Sequence, residues 1–129
     1  MNRFRPISLW GPVAAFMALI FFLSAQSDLP AVERVSDKTL HAAAYFVFGL
    51  LCLRATHGGF SPLRVGPVLV AVALAVAYGG LDEWHQSWVP GRTPSVLDWV
   101  ADGVGVSLAC AAVALWSRFR RGRRAGTER

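Results

Sequence analysis

Two stripes of ionisable side chains stand out in a chain that is otherwise strongly apolar. Lys38, His41 and Tyr45 recur at spacings of three and four residues, which places them on one face of a helix. Asp98 and Asp102 are four residues apart and form a second stripe. An imidazole near carboxylates can exchange protons at neutral pH, and a lysine beside them can hold an anion. The spacing therefore predicts a polar site suited to binding or to acid–base chemistry.

A third group of polar residues follows the third apolar segment. Asp82 and Gln86 share a helical face if that helix continues past residue 81, whereas Glu83 points away from this face. Arg92 lies in the next loop, where the sequence 89–92 fits a β-turn with Pro and Gly at its central positions. Because a guanidinium suits forked contacts to phosphate or carboxylate, we predict that Arg92 joins the site.

Long apolar segments must position these side chains. Only 16% of the 129 residues are charged, against about 25% in a typical soluble domain. A helix needs roughly 20 apolar residues to cross the ~30 Å hydrocarbon core of a bilayer. We predict an all-α membrane protein, folded over residues 1–129 as one antiparallel four-helix transmembrane bundle with a basic tail at 117–129. The predicted spans are residues 7–25, 38–54, 65–81 and 96–116.

The first segment has a competing interpretation as a signal peptide. It follows Arg3 and Arg5, and Ala25-Gln26-Ser27 offers small residues for cleavage. Its apolar stretch is longer than a usual signal-peptide core, which favours an uncleaved helix. Cleavage would leave three helices.

The distribution of Lys and Arg predicts the orientation of the bundle. Ten of the thirteen lie before the first span, between the second and third, or after the fourth. Such residues concentrate on the cytoplasmic side, so we predict that both termini are cytoplasmic and that the basic tail contacts anionic lipids rather than nucleic acid. The polar residues then meet at the extracytoplasmic end, and we predict that they line one cavity there: Lys38, His41, Tyr45, Asp82, Gln86, Arg92, Asp98 and Asp102.

Each polar group also has a structural explanation. Ser95 followed by Asp98 fits a helix capping box, which would account for Asp98 but not for Asp102, one turn deeper. Lys38 stands beside a helix N-terminus, where a cation is unfavourable, so we expect it to pair with Asp82, Asp98 or Asp102. The whole cluster also has an alternative interpretation, as an ion-pair network that fixes helix packing, but a binding or reactive site is favoured.

The polar residues also resemble the two signatures of VanZ-like membrane proteins, over about residues 20–110. The first signature is matched by Ser36-Asp37-Lys38, His41 and Tyr45. The second is matched by Asp82-Glu83, Gln86, Pro90-Gly91-Arg92, Asp98, Asp102 and Gly105. Asp102 departs from the pattern, since many relatives have Asn there. The resemblance implies a multi-pass protein of the bacterial cytoplasmic (inner) membrane with a role in the cell envelope. The founding member of the family is associated with resistance to the glycopeptide antibiotic teicoplanin.

Three functions are open at this stage. The first is binding of an anionic or glycosidic head group, with Arg92 and Lys38 as anion contacts and Asp82 and Asp102 as hydrogen-bond acceptors. The expected partners are then membrane lipids, a lipid-linked envelope precursor or the glycopeptide antibiotic. The second is a metal- or acid/base-dependent membrane enzyme acting on a lipid-linked substrate. No known metal-ligand spacing is present, so no cofactor and no metal are predicted. The third, a transporter, is disfavoured because the polar residues stop in the outer half of the spans.

Overall fold

The computed structural model describes residues 4–27, 36–59 and 63–127. These ranges contain no strand, and each of their helices is long and apolar enough to cross a membrane. The prediction of an all-α, antiparallel four-helix transmembrane bundle is therefore confirmed. The helices are α1 (Phe4–Ser24), α2 (Asp37–Thr56), α3 (Val65–Gln86) and α4 (Val96–Thr127).

Helices α3 and α4 both extend beyond the predicted spans. Helix α3 continues past residue 81 and ends at Gln86, which brings the acidic residues of that stretch into regular helix. Helix α4 continues through most of the predicted tail, because Arg and Ala are good helix formers and no proline interrupts them. Its 32 residues correspond to a length of about 48 Å. The basic residues near its C-terminus therefore lie beyond a ~30 Å hydrocarbon core.

The bundle has a polar end, where α1 and α3 finish and α2 and α4 begin, and a basic end at the opposite side. At the basic end, the Arg5 side chain donates to the carbonyl oxygen of Gly58 (3.0 Å) and the Arg54 side chain donates to that of Ser8 (2.9 Å). These two bonds tie the start of α1 to the end of α2. Pro12 has no N–H to donate to the Ser8 carbonyl within α1, and Arg54 supplies the missing donor.

Helices α2 and α4 begin with different capping arrangements. Ser36 caps α2, because its Oγ accepts the backbone N–H of Thr39 (3.2 Å). At the start of α4, the backbone N–H of Ser95 donates to Oε2 of Glu83 (2.7 Å). In a capping box that N–H would be bonded by Asp98. Glu83 on α3 takes this role instead, which leaves the Asp98 carboxylate for another partner.

The loop between α3 and α4 contains the predicted β-turn. The backbone N–H of Arg92 donates to the carbonyl oxygen of Val89 (3.1 Å), and Gly91 has a φ of 82°. A positive φ at this position identifies a type II turn, which requires glycine there. The turn prediction is confirmed.

Gly105 allows α2 and α4 to approach each other closely. A methyl group at this position would collide with the carbonyl oxygen of Ala42 and lie 2.8 Å from the backbone nitrogen of Phe46. Small residues at such crossings let helix backbones touch in a membrane, where packing rather than water exclusion drives association. The buried core around this crossing includes Tyr45, Phe48, Cys52, Val106 and Ala109.

Candidate functional site

Helices α2 and α4 form two acid–base pairs, one turn apart, at the polar end. Lys38 Nζ lies 3.3 Å from Asp98 Oδ1, and His41 Nδ1 lies 2.9 Å from Asp102 Oδ1. The exposed fraction of the side chain falls from 51% at Lys38 to 1% at Asp102. The expectation that Lys38 pairs with an acid is confirmed, and its partner is Asp98. We call these four residues the paired site.

The deeper pair holds the imidazole in a defined orientation. The Asp102 carboxylate engages Nδ1 of His41, while Nε2 makes no hydrogen bond to a described residue. A carboxylate that binds one imidazole nitrogen leaves the other free as a proton acceptor or a metal ligand. The second oxygen of Asp102 faces Gly79 on α3, where an added methyl group would lie 2.7 Å from it. The site can therefore exchange a proton at Nε2.

Asp82 on α3 belongs to a second polar group, shared with α1. Its Oδ2 accepts hydrogen bonds from Ser24 Oγ (2.8 Å) and from Gln86 Nε2 (3.1 Å), and all three side chains are buried. The predicted common face of Asp82 and Gln86 is confirmed. Ser24 is absent from the predicted site residues. One signal in the sequence would have identified Ser24. It lies at the end of an apolar segment, on the same side of the membrane as the acids.

Glu83 connects this group to α4. It points away from the Asp82 face, as predicted, yet it is buried against the start of α4 through its bond to Ser95. Helical spacing alone gives the direction of Glu83 relative to Asp82. It does not reveal what lies in that direction, so Glu83 is also missing from the predicted set.

Buried polar atoms without a hydrogen-bond partner accumulate at the polar end. In native proteins nearly all buried polar groups are bonded to protein or water, and an unbonded one is unfavourable by about 1–3 kcal/mol. Most of these atoms are acceptors, and all of them are enclosed, so an O–H or N–H donor reaches them only if neighbouring side chains move. Among the described residues they are Tyr45 Oη, Asp82 Oδ1, Glu83 Oε1, His85 Nδ1, Asp98 Oδ1 (beside the Lys38 ammonium) and Asp102 Oδ2.

The structure divides the predicted site residues between these two groups. Tyr45 lies beside the paired site, since its ring and the second oxygen of Asp102 both face Gly79. No described residue forms a hydrogen bond or ion pair with the Arg92 guanidinium. Two cavities open at this end, of about 480 Å³ and 460 Å³, and Asp82 is the one predicted residue that lines either. The paired site and the Asp82 group thus connect neighbouring helices. That all of the predicted residues line one cavity stays a prediction.

One combination of side chains at the polar end could hold a metal ion. Asp37, His41 and Asp98 each offer one ligand atom, and these atoms lie within 4.8 Å of one another. Carboxylate and imidazole ligands suit several divalent metals. Lys38 already pairs with Asp98, so a metal would have to displace the ammonium group. The sequence predicts no metal, and Asp37 is not in the predicted set.

Comparisons with family models, with curated proteins and with solved structures find no match to this chain.

Proposed function

We propose that this chain is a VanZ-like membrane protein of the bacterial cell envelope whose polar end binds the head group of an envelope lipid or glycolipid. The supporting observation is the gradient formed by the paired site, from the half-exposed Lys38 to the buried Asp102. An ammonium group at the surface can contact a phosphate or carboxylate, and the carboxylates below it can accept hydroxyl donors. A head group entering from the membrane surface meets these groups in that order.

The balance of charges favours a glycosidic head group over a purely anionic one. Carboxylates outnumber cations among the described residues of the polar end, and one of the cations, Lys38, is already paired. Sugar hydroxyls supply the donors that unbonded carboxylate oxygens require. The acids are Asp37, Asp82, Glu83, Asp98 and Asp102, and the cations are Lys38 and Arg92.

A lipid-linked envelope precursor and a glycopeptide antibiotic both fit this description. On this proposal the protein contributes to teicoplanin resistance by binding one of them at the outer face of the cytoplasmic membrane. The orientation needed, with both termini in the cytoplasm, is the one that the arginine distribution favours.

The test is to express wild type and the variants His41→Ala, Arg92→Ala and Asp102→Ala in a teicoplanin-susceptible bacterial host. Membrane protein level and drug susceptibility are measured for each. We expect wild type to lower susceptibility, and the variants to lose this protection at unchanged protein level. His57→Ala is the matched control, because that buried imidazole bonds Leu53 and Arg64 at the basic end.

The control variant should lose protection only in proportion to lost protein. If the polar-end variants behave in the same way, the cluster holds the bundle together and the binding proposal is wrong. A wild type that leaves susceptibility unchanged would remove the resistance role.

A membrane enzyme acting on a lipid-linked substrate is the second candidate. It is favoured by the 2.9 Å contact between His41 and Asp102, which orients an imidazole as a general base, and by the nearby Asp37 and Asp98 oxygens. Purified protein would be stripped of metal with a chelator and compared with untreated protein in turnover of a lipid-linked sugar. Equal turnover excludes the metal-dependent version, and absence of turnover in both excludes the enzyme.

A further inference from the structure

A groove between α1 and α3 opens toward the lipid at the polar end. Its volume is about 480 Å³. Large apolar side chains form its walls, and each is more than half exposed: Phe21, Leu81, Trp84 and Trp88. The helices that form this groove are not the helices that carry the paired site, which lies on α2 and α4. Tryptophan side chains favour the interface between hydrocarbon and head groups, so the groove lies at the level where an acyl chain joins its head group.

One carboxylate is held in the wall of this groove. Asp82 is only 4% exposed, and its Oδ2 is fixed by the donors Ser24 and Gln86. Its Oδ1 has no hydrogen-bond partner in the part of the chain that the structure describes. No lysine or arginine in the described ranges forms an ion pair with it. The carboxylate is therefore oriented by the protein, and its enclosed Oδ1 lacks a donor from the described residues. A donor from outside reaches this oxygen only if a side chain in the wall of the groove turns aside.

His85 lines the same groove and also carries an unbonded polar atom. The Nδ1 atom of His85 has no hydrogen-bond partner, and the ring stacks on Phe21 with a centroid distance of 4.2 Å. The stacked pair and Asp82 line the same groove. The groove thus combines apolar side chains that suit a hydrocarbon chain with two polar residues, Asp82 and His85.

The geometry points to a membrane phospholipid with a primary ammonium head group as the occupant of this groove. One acyl chain lies against Phe21, Leu81 and Trp84, since burial of hydrocarbon on such surfaces is favourable. The ammonium group donates to Oδ1 of Asp82. A carboxylate without a cationic partner is best matched by a charged donor. A quaternary ammonium has no N–H to give, and an uncharged hydroxyl lacks the attraction between charges.

Native mass spectrometry of the purified full-length protein tests this inference. Phosphatidylethanolamine, phosphatidylcholine and phosphatidylglycerol with identical acyl chains are titrated separately. We expect phosphatidylethanolamine to bind about tenfold more tightly than phosphatidylcholine, as one hydrogen bond between charged groups would give. Asp82→Asn should abolish this preference. Equal binding of the two zwitterionic lipids, tighter binding of phosphatidylglycerol, or an undiminished preference in Asp82→Asn would overturn the inference.

A matched pair of phenylalanines tests the groove without disturbing Asp82. Phe21 and Phe22 are neighbours on α1 with similar exposure, but only Phe21 lines the groove. Phe21→Ala should weaken binding of all three lipids, and Phe22→Ala should not. Equal effects of the two changes would show that the lipid lies elsewhere. Thermal melting of each variant identifies any loss of folding. The result of this phenylalanine comparison does not depend on the proposed function, because the paired site is intact in both variants.

Discussion

The close approach of α2 and α4 makes Gly105→Ala the most informative single change in this protein. The added methyl group would overlap the carbonyl oxygen of Ala42 and lie 2.8 Å from the nitrogen of Phe46. Both are backbone atoms, so no side-chain rotation relieves the overlap. The two helices must move apart, and His41 and Asp102, which lie one turn away, must separate with them.

Two opposing effects determine how much Gly105→Ala changes the free energy of unfolding. Overpacking in a well-packed core is unfavourable by about 1–3 kcal/mol, and a contact with backbone lies toward the upper end of that range. Replacing glycine by alanine inside a helix is favourable by about 1 kcal/mol. We therefore expect Gly105→Ala to lower the free energy of unfolding by about 2 kcal/mol.

Gly103→Ala is the matched control. Gly103 lies on the same helix, and an added methyl group there meets no atom within 4 Å. Only the helix-propensity gain of up to about 1 kcal/mol applies, so the two variants should differ by about 3 kcal/mol. The free energy of unfolding would be measured by denaturant titration in mixed micelles. If Gly105→Ala were as stable as Gly103→Ala, the backbones of α2 and α4 would not be in contact.

Three further predictions concern the polar end and its orientation. Ser24→Ala should lower the free energy of unfolding by about 1–2 kcal/mol, because it removes a buried hydrogen bond to a carboxylate. The control is Ser107→Ala, which removes only an exposed bond within α4 and should change the free energy of unfolding by less than about 0.5 kcal/mol. Equal effects of the two changes in the same denaturant titration would contradict this prediction. Glu83→Ala should loosen the start of α4, seen as faster amide hydrogen exchange there, whereas Glu83→Gln keeps an acceptor for the Ser95 N–H and should exchange as wild type does. Ser87→Cys, in a chain whose two native cysteines are replaced, should react with a membrane-impermeant maleimide in intact cells; labelling only by a permeant reagent would reverse the predicted topology.

Local rules were sufficient for the elements and for the general position of the site. The lengths of the apolar segments identify four spans, because a helix must cover the thickness of the hydrocarbon core. The Pro-Gly pair identifies the β-turn that the structure contains at residues 89–92. The need of Lys38 for an acidic partner follows from the unfavourable position of a cation at a helix N-terminus. Each of these rules uses the sequence of a single segment and needs no information about the neighbouring helices.

The partners across helices were decided by the tertiary structure. The sequence offers three acidic partners for Lys38, and in the structure it pairs with Asp98. The Ser95 N–H bonds Glu83, although the sequence offers Asp98 for that role. Arg92, which the sequence places in the site, forms no ion pair with a described acid.

The physical reason lies in how spans are stabilised. In water, an apolar stripe fixes which side of a helix faces the core. In a membrane the spans are apolar on nearly all sides, so periodicity leaves the rotation of each helix undetermined. That rotation is set by close contacts, such as Gly105 against α2, and by buried hydrogen bonds between helices. The sequence determines by itself that the polar residues gather at one end of the bundle, and only the packed bundle determines which of them touch.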